Sequence, residues 1–257
     1  MTSLVFRQFI CRSDNYGLLL HDDKSGETVA IDAPDADEIA RQLDAAGWDL
    51  THIFTTHHHG DHVEGNLALQ KRYGCSIIGP RAEATKIPGL DRDVTGGDRF
   101  TWQQREVQVL DCPGHTLGHI SFYMPSEDAV FAGDTLFSLG CGRVFEGTME
   151  QMHHSVSQFG ALPPSTKLFC GHEYTQSNAR FALAVEPGNT ALVQRAAEVD
   201  HLLAKGQMTC PSTIGAELAT NPFLRTGSVE IRQNIGMEHA TDAEVFAELR
   251  ERKNSFR

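Results

Sequence analysis

The sequence predicts an α+β fold, a larger mixed domain followed by a smaller helical one. Through the first two-thirds, short β-branched and aromatic runs that end at Gly, Asp or Pro alternate with amphipathic helical stretches. After about Gly171 the strand texture gives way to helical patterns. At 257 residues the chain lies near the length at which a single hydrophobic core stops growing.

In chain order, strands are expected at residues 4–10 (LVFRQFI), 16–21, 28–32, 52–56, from 76 (SIIG), 106–112, 120–124, 129–133 and 167–171. Among them, residues 35–46 place Ala36, Ile39, Ala40 and Leu43 on one helical face, with Asp35 and Glu38 spaced as an N-terminal cap. Beyond Gly171, EYTQSNARFALAV reads as a helix stopped by Pro187 and Gly188. Asn189 caps the next, whose apolar stripe is Leu192, Ala196, Val199 and Leu203. A last helix starts at Thr241, where TDAE is a capping box, and runs to about Lys253. The expected domains are 1–172 and 173–257, the second being too small and strand-poor to stand alone.

Composition narrows the function. Hydrophobic residues at 40% and charged residues at 22% are globular values. No run approaches the ~18 apolar residues of a membrane span, and arginines interrupt the short apolar stretch at the N-terminus, so a cytoplasmic protein without membrane association is expected. The six cysteines form no C-x-x-C pair and read as buried, reduced thiols. A net charge of -12 argues against nucleic acid, because backbone binding needs clustered Lys and Arg. An anionic substrate must therefore meet a local basic pocket. Oligomeric state leaves no trace in the sequence, and a monomer is the expectation.

The densest chemistry is TTHHHGDH, residues 55–62, just after a strand. Residues two apart on extended backbone point the same way, so His57 and His59 can grip one ion while a turn at Gly60 swings Asp61 and His62 towards another. Alone this is compatible with a histidine-rich surface loop. Three further strand ends change that reading: VQVLDC leads to His115, AVFAGDT delivers Asp134 and KLFCGHE delivers His172. Counted against the needs of zinc, His57, His59 and His115 fill three positions on one ion, and Asp61, His62 and His172 fill three on the other. Asp134 can bridge the two, and the remaining shared position is left for water or hydroxide, as in a catalytic site. Two divalent cations are thus the expected cofactors, zinc first, with iron or manganese able to accept the same donors. His119 suits either an orienting or a packing role, and His58 points away from its ligating neighbours. His21, His52, His153, His154, His201 and His239 lack a ligand-like context. There is no G-x-S-x-G elbow, phosphate loop or H-E-x-x-H helix, and neither Cys112 nor Cys141 has a base that would make it a nucleophile.

With H-x-H-x-D-H followed in order by a His, an Asp and a His, the chain resembles the metallo-β-lactamase superfamily. That resemblance implies an αββα sandwich with a binuclear site at one edge. FAGDTLFSLGCGRVFEGT, GHEYTQSNARFALAVEPGN, TNPFLR and LRERKNSF resemble, nearly end to end, the glyoxalase II family of hydroxyacylglutathione hydrolases. The implied reaction is hydrolysis of S-D-lactoylglutathione to D-lactate and glutathione, with a metal-bridging hydroxide attacking the thioester carbonyl. Asp61 and Asp134 are then the catalytic carboxylates, Asp61 steering the hydroxide and Asp134 setting the intermetal distance. The family's glutathione contacts map to Arg143, Tyr174, Arg250 and Lys253, which supply the basic pocket that the acidic whole lacks. Phe145 stands where some members carry a glutathione-binding tyrosine, and Arg143 replaces a common lysine. For Arg250 and Lys253 the plain alternative is a solvated helix end.

Competing readings are a glutathione-linked persulfide dioxygenase with a single iron and a non-catalytic metal or redox scaffold serving a partner protein. The dioxygenases lack an extended basic helical C-terminus, and no flavodoxin-like segment follows residue 172. A β-lactamase fits less well, since such enzymes carry export signals and commonly a Cys where Asp134 stands. A nuclease conflicts with the charge.

Overall fold

Side-chain alternation along four adjacent strands organises the N-terminal part. In the computed structural model, which describes residues 4–256, the residues up to Asp111 and Gly118–Gly133 form one compact unit; Cys112–Leu117 and the residues from Asp134 onward form a second. The first contains β1 (Leu4–Cys11), β2 (Asn15–Asp22), β3 (Glu27–Ile31), α1 (Ala36–Ala46), β4 (His52–Phe54), the single turn α2 (Gly60–Val63), α3 (Asn66–Tyr73), β5 (Ser76–Pro80) and β6 (Arg92–Val94). A six-stranded sheet runs β1-β2-β3-β4-β5-β6. Its first three strands are antiparallel neighbours, and β3 to β6 are parallel. Leu19, Ala30, Ile53 and Ile77 share a core with Ile39 and Leu43 of α1 and Leu69 of α3, so the helices cover that face.

Phe54, one residue on from Ile53, points the other way. It meets Phe100 and Phe122 edge-on or tilted at 5.4 and 5.3 Å between ring centroids. Those rings belong to an antiparallel meander of β7 (Arg99–Trp102), β8 (Arg105–Asp111), β9 (Ile120–Met124) and β10 (Ala129–Phe131). Helix, sheet and sheet are thus stacked in this unit. Arg105 joins the sheets from one side, donating to Asp22 Oδ2 at 2.9 Å and Glu127 Oε1 at 2.6 Å.

The second unit begins with the β11 (Leu136–Phe137) and β12 (Gly140–Cys141) hairpin, then α4 (Met149–Gly160), β13 (Lys167–Phe169), α5 (Thr175–Val185), α6 (Thr190–Ala204), β14 (Ser212–Thr213), α7 (Ile214–Thr220), α8 (Val229–Ile235) and α9 (Asp242–Ser255). Leu192, Ala196 and Val199 of α6 pack with Ala179 and Ala182 of α5 over Leu139 of the hairpin, and Leu203 lies at the edge of that cluster. Asn221 Nδ2 donates to the carbonyls of Phe137 and Gly140 at 3.1 and 3.0 Å, and Asn178 Nδ2 to that of Ser138 at 3.0 Å. The segment directly after Asp134 is thereby pinned. Buried Glu217 completes the clamp, accepting from Leu139 N at 2.8 Å, Asn221 Nδ2 at 2.9 Å and the Arg195 guanidinium.

Caps form where the sequence places them: Asp35 accepts from the amides of Asp37 and Glu38, Asn189 from Leu192, and Thr241 and Glu244 form the capping box. Several expected strands end earlier than read. β3 stops at Ile31 and β10 at Phe131, because Asp32 (φ 58°) and Gly133 (φ 51°) turn into the left-handed region and leave the ladder. β6, β7, β11, β12 and β14 were not expected, being too short to show an alternation. Of the unexpected helices, α4 did carry a signal, the capping box of Thr148 and Gln151. Among the described residues no helix is long and apolar enough to cross a membrane.

Replacing Phe54 with Ala should cost about 3–5 kcal/mol, since the ring is fully buried between two sheets. Urea unfolding measures it; a loss below about 1 kcal/mol would mean that the sheets do not depend on this contact.

Candidate metal centre

Within the first unit, the segment after β4 carries His57, His59, Asp61 and His62 on extended backbone and the α2 turn. The rings of His57 and His59 lie 4.8 Å apart, those of His57 and His62 4.1 Å, and His62 Nε2 is 3.7 Å from Asp61 Oδ2. Their orientation comes from one buried carboxylate, Asp32, at the end of β3. Its Oδ1 accepts the Thr56 amide at 2.7 Å, and its Oδ2 accepts the Thr56 hydroxyl at 2.9 Å and His62 Nδ1 at 2.8 Å. Since the Thr56 hydroxyl hydrogen goes to Asp32, its oxygen accepts from His57 Nδ1, at 2.9 Å. Both neutral rings therefore carry their proton on Nδ1 and present the Nε2 lone pair, the form that binds a cation. Although Asp32, His57 and His62 lie close enough to hold an ion themselves, the bonds to Thr56 and His62 make Asp32 the orienting group.

Two further residues hold the loop. Asn15 Nδ2 donates to Asp61 Oδ2 and to the Asp61 carbonyl, both at 3.1 Å. Buried Glu83 accepts the amides of His58 (2.7 Å) and Gly118 (3.0 Å), and His58 Nδ1 lies 2.9 Å from it. His58 is thus tied to Glu83, while His119 stacks on His57 at 4.7 Å.

The second unit brings His115, Asp134 and His172 together, all buried. Asp134 Oδ2 lies 3.4 Å from Nε2 of His115 and 3.4 Å from Nε2 of His172. That is long for a charge-assisted hydrogen bond. It matches the ~3.3 Å expected between two ligands that each stand about 2.0–2.1 Å from a tetrahedral ion. His115 Nδ1 donates to the Arg143 carbonyl at 2.8 Å, so its Nε2 also carries a lone pair. Gly142 lets this loop close in, for a Cβ there would sit 1.9 Å from the Asp134 carbonyl oxygen. His172 is supported by Tyr174, stacked at 4.8 Å and 2°, and by the edge of Phe137. Imidazole nitrogens with fixed tautomers and buried carboxylates fit a divalent cation in either unit.

The residues expected to hold substrate all lie in the second unit. Arg143 is exposed and Tyr174 partly so. Phe145 is 62% exposed, its ring edge-on to His115 at 5.2 Å. Lys253 Nζ donates to the Ser177 carbonyl at 3.0 Å and hydroxyl at 2.8 Å. Burial, then the neighbouring charges of Arg250 and Arg143, push its ammonium down to about 8. Arg250 is only 4% exposed, donates from Nη1 to the Cys141 carbonyl at 2.7 Å and lies over the Phe223 ring. It is therefore not a solvated helix end: it fixes the hairpin that leads into Arg143.

Asp32, Asn15 and Glu83 escaped the sequence reading. Asp32 had a signal, since it ends a hydrophobic strand as the strand-end ligands do. Asn15 and Glu83 had none, because what they hold lies 46 and 25 residues away.

Residues 23–172 match the family model of the metallo-β-lactamase superfamily, and residues 173–256 match that of the hydroxyacylglutathione hydrolase C-terminus. Hydroxyacylglutathione hydrolases of Brucella anthropi and Brucella ovis are each 57% identical to this chain over 253 residues, spanning 98% of it and 97% and 98% of their own lengths. Among solved structures, ETHE1 from Myxococcus xanthus is similar, with TM-score 0.66 and 25% identity over 98% of this chain and all of its own. The BLEG-1 B3 metallo-β-lactamase has TM-score 0.65 at 21% identity over 86% of this chain and 99% of its own, a likeness of fold.

Replacing Asp32 with Asn keeps its shape but removes the charge that orders Thr56 and His62. Divalent-metal affinity, read by competition with a chelating dye, is expected to fall about 10–100-fold. Undiminished affinity would mean that Asp32 does not orient the ligands.

Proposed function

The chain belongs to the metallo-β-lactamase superfamily and, within it, to the hydroxyacylglutathione hydrolases, and from that membership we propose that it hydrolyses S-D-lactoylglutathione to D-lactate and glutathione. The observation that carries the chemistry is Asp134, one carboxylate oxygen 3.4 Å from the Nε2 atoms of both His115 and His172. A carboxylate so placed suits a ligand shared by two cations. His57, His59 and His115 are assigned to one ion, Asp61, His62 and His172 to the other, and Asp134 to both. The donors suit zinc and also accept iron or manganese. The match of residues 173–256 to a hydroxyacylglutathione hydrolase C-terminus favours this reading over a single-iron dioxygenase or a non-catalytic scaffold.

When bound, the two cations supply an activated water and polarise the thioester carbonyl. Asp61, held through Asn15, is assigned to orient the attacking water. Arg143 and Lys253 take the glutathione carboxylates, Tyr174 lines the same site, and Arg250 contributes charge while it holds the Cys141 carbonyl. The leaving group is a thiolate, whose parent thiol ionises near 8.5, so expulsion needs no strong general acid. Residues 1–172 are assigned as the catalytic domain and 173–257 as the glutathione-binding one. The working state proposed is a cytoplasmic monomer acting on a small-molecule thioester, with no nucleic-acid or membrane partner; the charge of -12 supports the exclusion of nucleic acid.

Turnover of S-D-lactoylglutathione, followed with metal stoichiometry, tests the assignment. Asp134→Ala should bind fewer than two metal equivalents and lose about two orders of magnitude or more in kcat; near-wild-type turnover sinks the bridging role.

Binding should also depend on pH through Lys253. Its folded-state pKa of about 8 means that the ammonium is present below that pH and lost above it. KM is therefore expected to rise as pH passes through about 8 with kcat little changed, and Lys253→Arg, whose charge persists beyond pH 12, should flatten the rise. A KM that is flat from about pH 7 to about 9.5 in the unaltered enzyme removes Lys253 from the binding site.

A further inference from the structure

β13 and β14 pair antiparallel with Lys167 opposite Thr213 and Leu168 opposite Ser212. Just beyond this ladder lie Cys170 on one segment and Cys210 on the other. The two sulfurs are already in contact at 3.2 Å, and both cysteines are free and buried. A bond of about 2.05 Å needs them to close by roughly 1.2 Å, within reach of small side-chain rotations.

Cys210 lines a cavity of about 530 Å³, walled also by Arg195, Leu202, Met208, Thr209 and Ser212. Cys170 in turn is wired to a proposed metal ligand, its thiol donating to the His172 carbonyl at 3.5 Å. On the other side, Thr209 bonds Glu173 through its amide at 2.9 Å and its hydroxyl at 2.7 Å. The dithiol therefore lies between two anchors of the segment that presents His172.

We propose that Cys170 and Cys210 form a peroxide-sensitive dithiol switch, in which their oxidation to a disulfide shifts His172 and lowers hydrolase activity. The oxidant is a small hydroperoxide, hydrogen peroxide in the simplest case. Cys210 sulfur attacks one peroxide oxygen; an S–O bond forms, the O–O bond breaks, and the departing hydroxide takes the thiol proton to leave as water. Cys170 sulfur then attacks the Cys210 sulfenic sulfur, forming S–S and expelling hydroxide, which takes the Cys170 proton as a second water. The two thiols supply the two electrons that reduce the peroxide. A small dithiol reverses the bond by exchange.

The formation of the bond is independent of the assigned reaction; its effect on turnover rests on the proposed ligand role of His172. Metal-loaded, full-length enzyme is exposed to hydrogen peroxide, alkylated and digested without reductant. The expected products are a peptide linked through Cys170 and Cys210 and the loss of two of the six free thiols. Activity should fall several-fold and return with dithiothreitol, while Cys210→Ser and Cys170→Ser stay active under the same peroxide. Absence of the linked peptide, or its accumulation only in unfolded protein, overturns the switch. A linked peptide with undiminished activity and metal affinity overturns the coupling to His172. Should the enzyme not cleave the thioester at all, the linked peptide and chelator-dye metal release still decide the switch separately.

Discussion

A buried imidazole serves a cation only if its other nitrogen already donates to a fixed acceptor, and much of the candidate site follows from that requirement. In the first unit the acceptor is Asp32, directly for His62 and through Thr56 for His57. In the second it is the carbonyl of Arg143, which holds His115. The left-handed turn at Asp32, the close approach of Gly142 to Asp134 and the clamp of Asn178, Asn221 and Glu217 on the 137–140 hairpin all place those acceptors.

The loop at Arg143 joins the candidate metal centre to the proposed substrate contacts. Arg143 offers its carbonyl to His115 and its side chain to solvent, and Arg250 anchors the preceding hairpin at Cys141. Burial first, and then the neighbouring charges of Arg250 and Arg143, depress the ionisation of Lys253.

Much of the fold could be read directly. Strands of five residues or more showed their composition, and the helix starts at Asp35, Asn189 and Thr241 showed their capping chemistry. What escaped were five of the two- to four-residue strands, β6, β7, β11, β12 and β14, and helices such as α3, where Leu67 faces solvent and blurs the apolar stripe. Two strand ends were overrun because the left-handed residues Asp32 and Gly133 leave the ladder without changing the hydrophobic pattern.

By itself the sequence determined the types of the candidate ligands, their order and their delivery at strand ends, because residue chemistry and local spacing are properties of the chain alone. It also determined the family, through motifs spread from Phe131 to Phe256. Only the tertiary structure decided which nitrogen of His57, His62 and His115 faces the site, that Arg250 is committed to the Cys141 carbonyl, and that Cys170 touches Cys210. Those outcomes turn on acceptors and neighbours 30, 109 and 40 residues away, and no local pattern encodes a contact whose partner is fixed by packing.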